Sequence, residues 1–490
     1  MKTEQTPATE EVAQDTRFFG HPLPLAQLFG LEMWERFSYY GMTGILAIYL
    51  YFTVADGGLA LPETTAFAIV GAYGGAVFLA TILGSWVADR LLGSERILFW
   101  SAIVIMAGHI ALALLPGFSG VAVGLVLVAL GSGGLKATAS AIVGSLYTEK
   151  DTRREAGFSI FYMGVNLGAF LGPLLTGLLQ SRIGFHYGFG AAAVGMALGL
   201  AIYLTGRKNL PESARSVPNP APRSSLWKLG GSIALVIVLI TVFWTTGLMN
   251  EANLATWTAV VSALAAVAYF TIILTHKKVD EVEKSRALAF IPFFIASVAF
   301  WALYQQVFGV LTGYSDTQMN RVVFGWEMPI SWISLIPAIW VILLAPVAST
   351  LWMKLGDRQP PTPVKAGLAL FFIGAAYLLF VPYSNAGAGG TPLLWVIFIL
   401  MLFVIGELMI SPIGLAVATR LAPKIFMSQM IALFYLSSGV GTALSGVFAK
   451  YYDAADQTPY WTSMGLGAMA VGAIVLAVSK PVVKLMRGVK

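Results

Sequence analysis

The chain contains no cysteine. That excludes a disulfide scaffold, a thiol nucleophile, and any zinc or iron–sulfur site with cysteine ligands. Charge is also scarce: Asp, Glu, Lys and Arg make up 11% of the 490 residues, less than half of the roughly 25% usual in soluble domains. The four histidines form no cluster with Glu at metal-ligand spacing. No glycine-rich loop of the GxxxxGKS kind occurs, so direct coupling to a nucleoside triphosphate is not expected. Disorder is excluded too, because 57% of the residues are hydrophobic and 12% aromatic.

What the chain does have is apolar runs of membrane-spanning length, from end to end. Spans are expected at about 24–53, 66–92, 96–116, 119–147, 157–181, 186–206, 229–248, 254–276, 287–313, 329–353, 363–382, 392–421, 428–449 and 460–487. This predicts an all-α membrane protein with fourteen transmembrane helices. The polar first 23 residues read as a tail without a signal peptide. The segment 207–228, with four prolines, reads as a linker.

Basic residues set the orientation. With the N-terminus inside, 25 of the 30 Lys and Arg fall on the cytoplasmic side, among them Arg90, Arg96, Lys150, Arg153, Lys354 and Lys424. Only Arg182, Arg321 and Lys450 fall outside. Both termini are therefore expected in the cytoplasm. The same bias accounts for the net charge of +6 without a nucleic-acid partner.

One pattern recurs. SWVADRLLGSER after the second span and LWMKLGDRQPP in the second half both carry a cytoplasmic Asp-Arg turn, Asp89-Arg90 and Asp357-Arg358. Two six-span halves with such turns resemble the major facilitator superfamily, whose repeats place the substrate site near the midplane. The domains expected are a tail (1–23), a six-helix bundle (24–206), a linker with two inserted helices (207–286) and a second six-helix bundle (287–490).

Five ionisable residues lie deep inside expected spans: Glu32, Glu35, Arg36, Lys136 and Glu407. Each costs about 2.5–3.5 kcal/mol at a helix centre on insertion scales, so each needs a partner or a wet cavity. In GLEMWERFSYYGMTG, Glu32 and Arg36 are one helical turn apart, and Tyr39, Tyr40 and Thr43 extend that face. Two carboxylates compete there for one guanidinium, and proton uptake by the less well paired acid frees Arg36 for an anion. Lys136, in GSGGLKATAS, suits a substrate carboxylate or a switchable partner for Glu32 or Glu35. Glu407, in IGELMISPIG, precedes Pro412, which removes a backbone hydrogen bond and bends the helix. Cations in one half and an acid in the other fit a zwitterion. An extended di- or tripeptide spans about 7–11 Å, so fixed poles favour short peptides.

The stretch Glu32–Gly41 matches the ExxERFxYYG motif of the proton-coupled oligopeptide transporters, and FYMGVNLG (Phe161–Gly168) resembles that family's FYxxINxG signature. The resemblance covers nearly the whole chain, and the two extra helices are usual in bacterial members. It implies symport of di- and tripeptides with protons across the bacterial cytoplasmic membrane by a monomer, with the proton gradient as driving force and no cofactor. It also implies a cavity lined by Tyr39, Tyr40, Tyr73, Asn166 and Trp301. Arg36 and Lys136 would take the peptide carboxylate, and Glu407 its amine. Glu32, Glu35, Arg36 and Lys136 would couple the proton.

The chain departs from the family at Thr43, where an arginine is usual, and at Gln305, where a glutamate is usual. It also has Ala137-Thr138 for Pro-Asn and Ile336 for Asn. These changes bear on substrate choice and coupling, which leaves open a transporter of another small anion, amine or modified peptide. An enzyme using Glu32, Glu35 and His109 would need a nucleophile or metal set that the sequence lacks. His109 is expected to be packed and hydrogen-bonded; His21, His186 and His276 sit near span ends.

Overall fold

The structure is a computed structural model that describes residues 15–148, 151–384 and 386–488. Residues 1–14 of the expected tail, and Lys150, lie outside these.

Fourteen long helices account for most of the described chain: α1 (Leu23–Tyr51), α2 (Glu63–Val87), α3 (Ser94–Leu114), α4 (Gly117–Ser145), α5 (Arg154–Arg182), α6 (Phe185–Gly206), α8 (Arg223–Thr245), α9 (Leu254–Thr275), α10 (Glu281–Tyr304), α12 (Leu335–Leu355), α13 (Thr362–Leu378), α14 (Leu393–Leu421), α15 (Met427–Phe448) and α16 (Thr458–Ala477). Three short helices, α7 (Glu212–Arg215), α11 (Val310–Thr317) and α17 (Ser479–Leu485), complete the set. Twelve spans among the described residues are long and apolar enough to cross a membrane. The other two long helices are α1, 29 residues with Glu32, Glu35 and Arg36 in its middle, and α8, 23 residues. The protein is an all-α, multi-pass membrane protein.

Three details differ from the sequence expectation. The span expected over 287–313 is broken: α10 stops at Tyr304, a 3₁₀ turn runs over Gln305–Phe308, and α11 restarts at Val310. The Thr312 hydroxyl donates to Val307 O at 2.9 Å and Gly309 N–H to Gln306 O at 3.0 Å, so carbonyls freed at the break are bonded again, and the Gln306 side chain donates to Ser445 O of α15 at 3.0 Å. The last span ends at Ala477, and α17 follows as a separate piece. The segment expected as a linker over 207–228 contains α7 and the start of α8 at Arg223, and Asn219 and Ala221 N–H donate to Asp89 O and Arg90 O.

The chain forms two compact units. The first comprises the residues up to Ala60 and Leu79–Asn250; the second comprises Leu61–Phe78 and the residues from Glu251 on. In the first unit α1 packs on α5 and α6, and α3 packs on α4. Glycines set these spacings: a Cβ at Gly168 of α5 would meet Met33 O and Arg36 Cβ, and one at Gly131 of α4 would meet Ile105 and Ser101 O of α3.

In the second unit α13 packs on α16, and α15 on α9 and α10. Its core includes Trp461, stacked on Phe380 with ring centroids 4.6 Å apart. An Asp280–Glu283 capping box starts α10, with Glu283 N–H donating to Asp280 Oδ1 at 2.7 Å.

Candidate functional site

The first unit gathers the charges of α1 and α4. Helical spacing brings Glu32 and Arg36 together, and Arg36 Nε donates to Glu32 Oε1 at 2.8 Å. The same nitrogen lies 2.9 Å from Glu35 Oε2. One guanidinium nitrogen thus serves two carboxylates. All three residues are buried, Glu35 completely. Glu35 Oε1 accepts a hydrogen bond from the Ser132 hydroxyl of α4 at 3.0 Å, while Glu32 Oε2 and Glu35 Oε2 are both buried with no hydrogen-bond partner among the described residues. Lys136, one turn beyond Ser132, is half-buried and within electrostatic reach of Glu35, Glu32 and Arg36.

Aromatic groups flank this cluster. The Arg36 guanidinium carbon lies 5.9 Å from the Tyr39 ring centroid, and Tyr39 meets Tyr40 edge-on at 5.2 Å. Asn166 is exposed in α5 and donates to Tyr162 O at 3.0 Å. Thr43 donates to Tyr39 O at 2.7 Å, so its hydroxyl is engaged with its own helix.

In the second unit the Tyr304 hydroxyl donates to Glu407 Oε2 at 2.6 Å. Trp301 packs edge-on against Tyr304 with centroids 5.2 Å apart, and its indole N–H is buried without a partner among the described residues. Gln305 opens the 3₁₀ turn at the helix break, half-buried. Tyr73, in the part of α2 that belongs to this unit, is buried. α14 continues as one helix through Pro412.

Sequence reasoning did not assign Ser132, Tyr162 or Tyr304. Ser132 was visible as a hydroxyl one turn before Lys136, and Tyr304 as a phenol beside Gln305. Tyr162 lies within electrostatic reach of Glu32 and Arg36. His109 is fully buried, but neither ring nitrogen has a hydrogen-bond partner among the described residues, contrary to the expected bonded histidine. His21 and His186 do have partners, the Tyr147 hydroxyl at 2.8 Å and Leu112 O at 3.3 Å. No group of three or more metal-ligating side chains occurs among the described residues.

Outside the membrane spans, Arg153 at the start of α5 pairs with Asp151 at 2.8 Å and holds that carboxyl below its usual range. Arg153 also donates to Gly20 O at 3.0 Å, tying the segment before α1 to the α4–α5 connection.

Buried, mutually paired charges within a helix of membrane-spanning length are the feature that comparison with known proteins explains, and the class it defines is a membrane transporter. A model of the POT family (PTR2) matches residues 95–474. The uncharacterized transporter YclF of Bacillus subtilis is 41% identical over 475 residues, covering 96% of each chain. A di-/tripeptide transporter of Lactococcus lactis subsp. cremoris is 39% identical over 489 residues, covering 96% of this chain and 98% of its own. Among solved structures, a peptide transporter POT in complex with sulfate aligns with a TM-score of 0.93 at 38% identity, covering 99% of this chain and all of that one. A POT family transporter in complex with 5-aminolevulinic acid aligns at 0.92 and 36%, covering 97% and 99%. The chain belongs to the POT family of transporters.

Proposed function

We propose that the protein is a proton-coupled symporter that imports di- and tripeptides by alternating access. The observation that carries this reading is the sharing of Arg36 between Glu32 and Glu35. Protonation of one carboxylate, which we assign to Glu35 because Arg36 Nε hydrogen-bonds Glu32 and only approaches Glu35, releases the guanidinium, which then joins Lys136 in holding the peptide carboxylate. Glu407 takes the peptide ammonium. Tyr39, Tyr40, Tyr73, Asn166, Trp301 and Gln305 contribute to the cavity wall. Inward opening exposes the protonated acid to a higher pH, where it discharges. Gln305 cannot carry a proton, so coupling rests on Glu32 and Glu35 with Arg36 and Lys136.

On this reading the chain acts as a monomer in the bacterial cytoplasmic membrane with both termini inside. Residues 24–206 and 287–490 are the two bundles, and 207–286 the linker and inserted helices. No cofactor takes part; the proton gradient drives transport. The test is uptake of a labelled dipeptide into proteoliposomes under an imposed proton gradient. Accumulation above equilibrium, abolished by a protonophore and competed by unlabelled dipeptide, supports it.

The 5-aminolevulinic acid bound by a relative favours a second reading, in which a different small molecule with an amine and a carboxylate is the substrate. Gradient-driven uptake of that compound without competition by dipeptides would select it.

A further inference from the structure

We propose that Tyr304 is a positioning residue for the amine pole of the transport site, its hydroxyl holding the Glu407 carboxylate in the orientation that receives a substrate ammonium. This inference rests on the assignment of the ammonium to Glu407.

The geometry has three parts. First, the phenol is fixed independently of Glu407. Its ring packs on Phe300 at 5.7 Å, Trp301 at 5.2 Å and Phe403 at 5.9 Å between centroids, so α10 and α14 together set its place. Second, the helices are close at this level. A Cβ on Gly406, the residue before Glu407, would lie 2.8 Å from the Phe300 ring. The carboxylate and the phenol therefore meet across a tight crossing.

Third, the hydrogen bond is to Oε2, at 2.6 Å, which is the short distance of a hydroxyl donating to a carboxylate. A glutamate on a flexible stem binds a cation best when one oxygen is already held, because less freedom is then lost on binding. On this proposal Oε1 is the oxygen that receives the ammonium.

Tyr304 is also the residue at which α10 ends, immediately before the Gln305–Phe308 turn. A rearrangement of that break moves the hydroxyl and hence the carboxylate. The amine pole is in this way mechanically tied to the broken helix.

The experiment is binding of dialanine and of N-acetyl-dialanine to the purified full-length protein, by calorimetry. It compares the native chain, Tyr304→Phe, Glu407→Gln and the double variant. Phenylalanine keeps the ring and removes only the donor, and N-acetyl-dialanine binding reports that each variant is folded. Tyr304→Phe is expected to weaken dialanine about tenfold, the size of one hydrogen bond to a charged group, and to change N-acetyl-dialanine less than about twofold. In the Glu407→Gln background the same substitution should have no further effect, since Tyr304 acts through Glu407.

Equal weakening of both ligands by Tyr304→Phe, or a full effect in the Glu407→Gln background, overturns the proposal. So does unchanged dialanine binding in Tyr304→Phe while Glu407→Gln weakens it. If Glu407→Gln itself does not separate the two ligands, the ammonium assignment has failed, and the role of Tyr304 falls with it.

Discussion

Ser132 of α4 donates its hydroxyl to Glu35 of α1 across 3.0 Å, with both side chains almost wholly out of solvent. A hydroxyl aimed at a carboxylate favours the ionised form. The proton that Glu35 is proposed to accept must be taken up against that bond. Ser132→Ala removes the donor and so changes the balance between the charged and neutral forms of Glu35. The curve of gradient-driven uptake against pH should shift from that of the native chain, and Ser132→Thr should restore it. An unmoved curve would mean that the bond does not bear on the transported proton.

Gly168 predicts a stability effect that does not depend on substrate. A Cβ there would press on Met33 O and Arg36 Cβ, so Gly168→Ala should cost about 1–3 kcal/mol through overpacking and lower Tm in detergent. Gly190 of α6 has no heavy atom within 4 Å of such a Cβ, and Gly190→Ala should not lower Tm. Equal losses at the two sites would show that the α1–α5 crossing is not the tight one.

How far the sequence revealed the site depended on distance along the chain. The Glu32–Arg36 pair was legible because one helical turn fixes it, and Lys136 because a lone cation in an apolar span needs a reason. The bonds Ser132–Glu35 and Tyr304–Glu407 were not, since their partners are 97 and 103 residues apart. The break at Gln305–Phe308 falls at the Gln305-Gln306 pair of an otherwise apolar run, a pair that does not by itself end a helix. What holds it is tertiary: Gln306 finds its acceptor on Ser445, 139 residues away. The fourteen helices themselves followed from hydropathy, because a bilayer leaves a chain few alternatives.

Topology is open to a direct check, because the chain has no cysteine of its own. A cysteine placed at Ser216, in the linker, should resist an impermeant thiol reagent in intact cells and react after permeabilisation. One placed at Val322 should react in intact cells. The expectation rests on the 25 to 3 division of basic residues. Reaction at position 216 in intact cells would reverse the orientation.

The central claim is that Glu35, sharing Arg36 with Glu32, carries the coupled proton. The most direct measurement pairs gradient-driven uptake with counterflow exchange on the same reconstituted Glu35→Gln variant. Exchange needs binding and alternation but no net proton movement, so the account predicts counterflow retained and uphill uptake lost. Lys136→Ala, which removes a carboxylate anchor as well as a switching cation, should impair both. If Glu35→Gln still concentrates dipeptide against its gradient, the proton travels on another group and the account is contradicted.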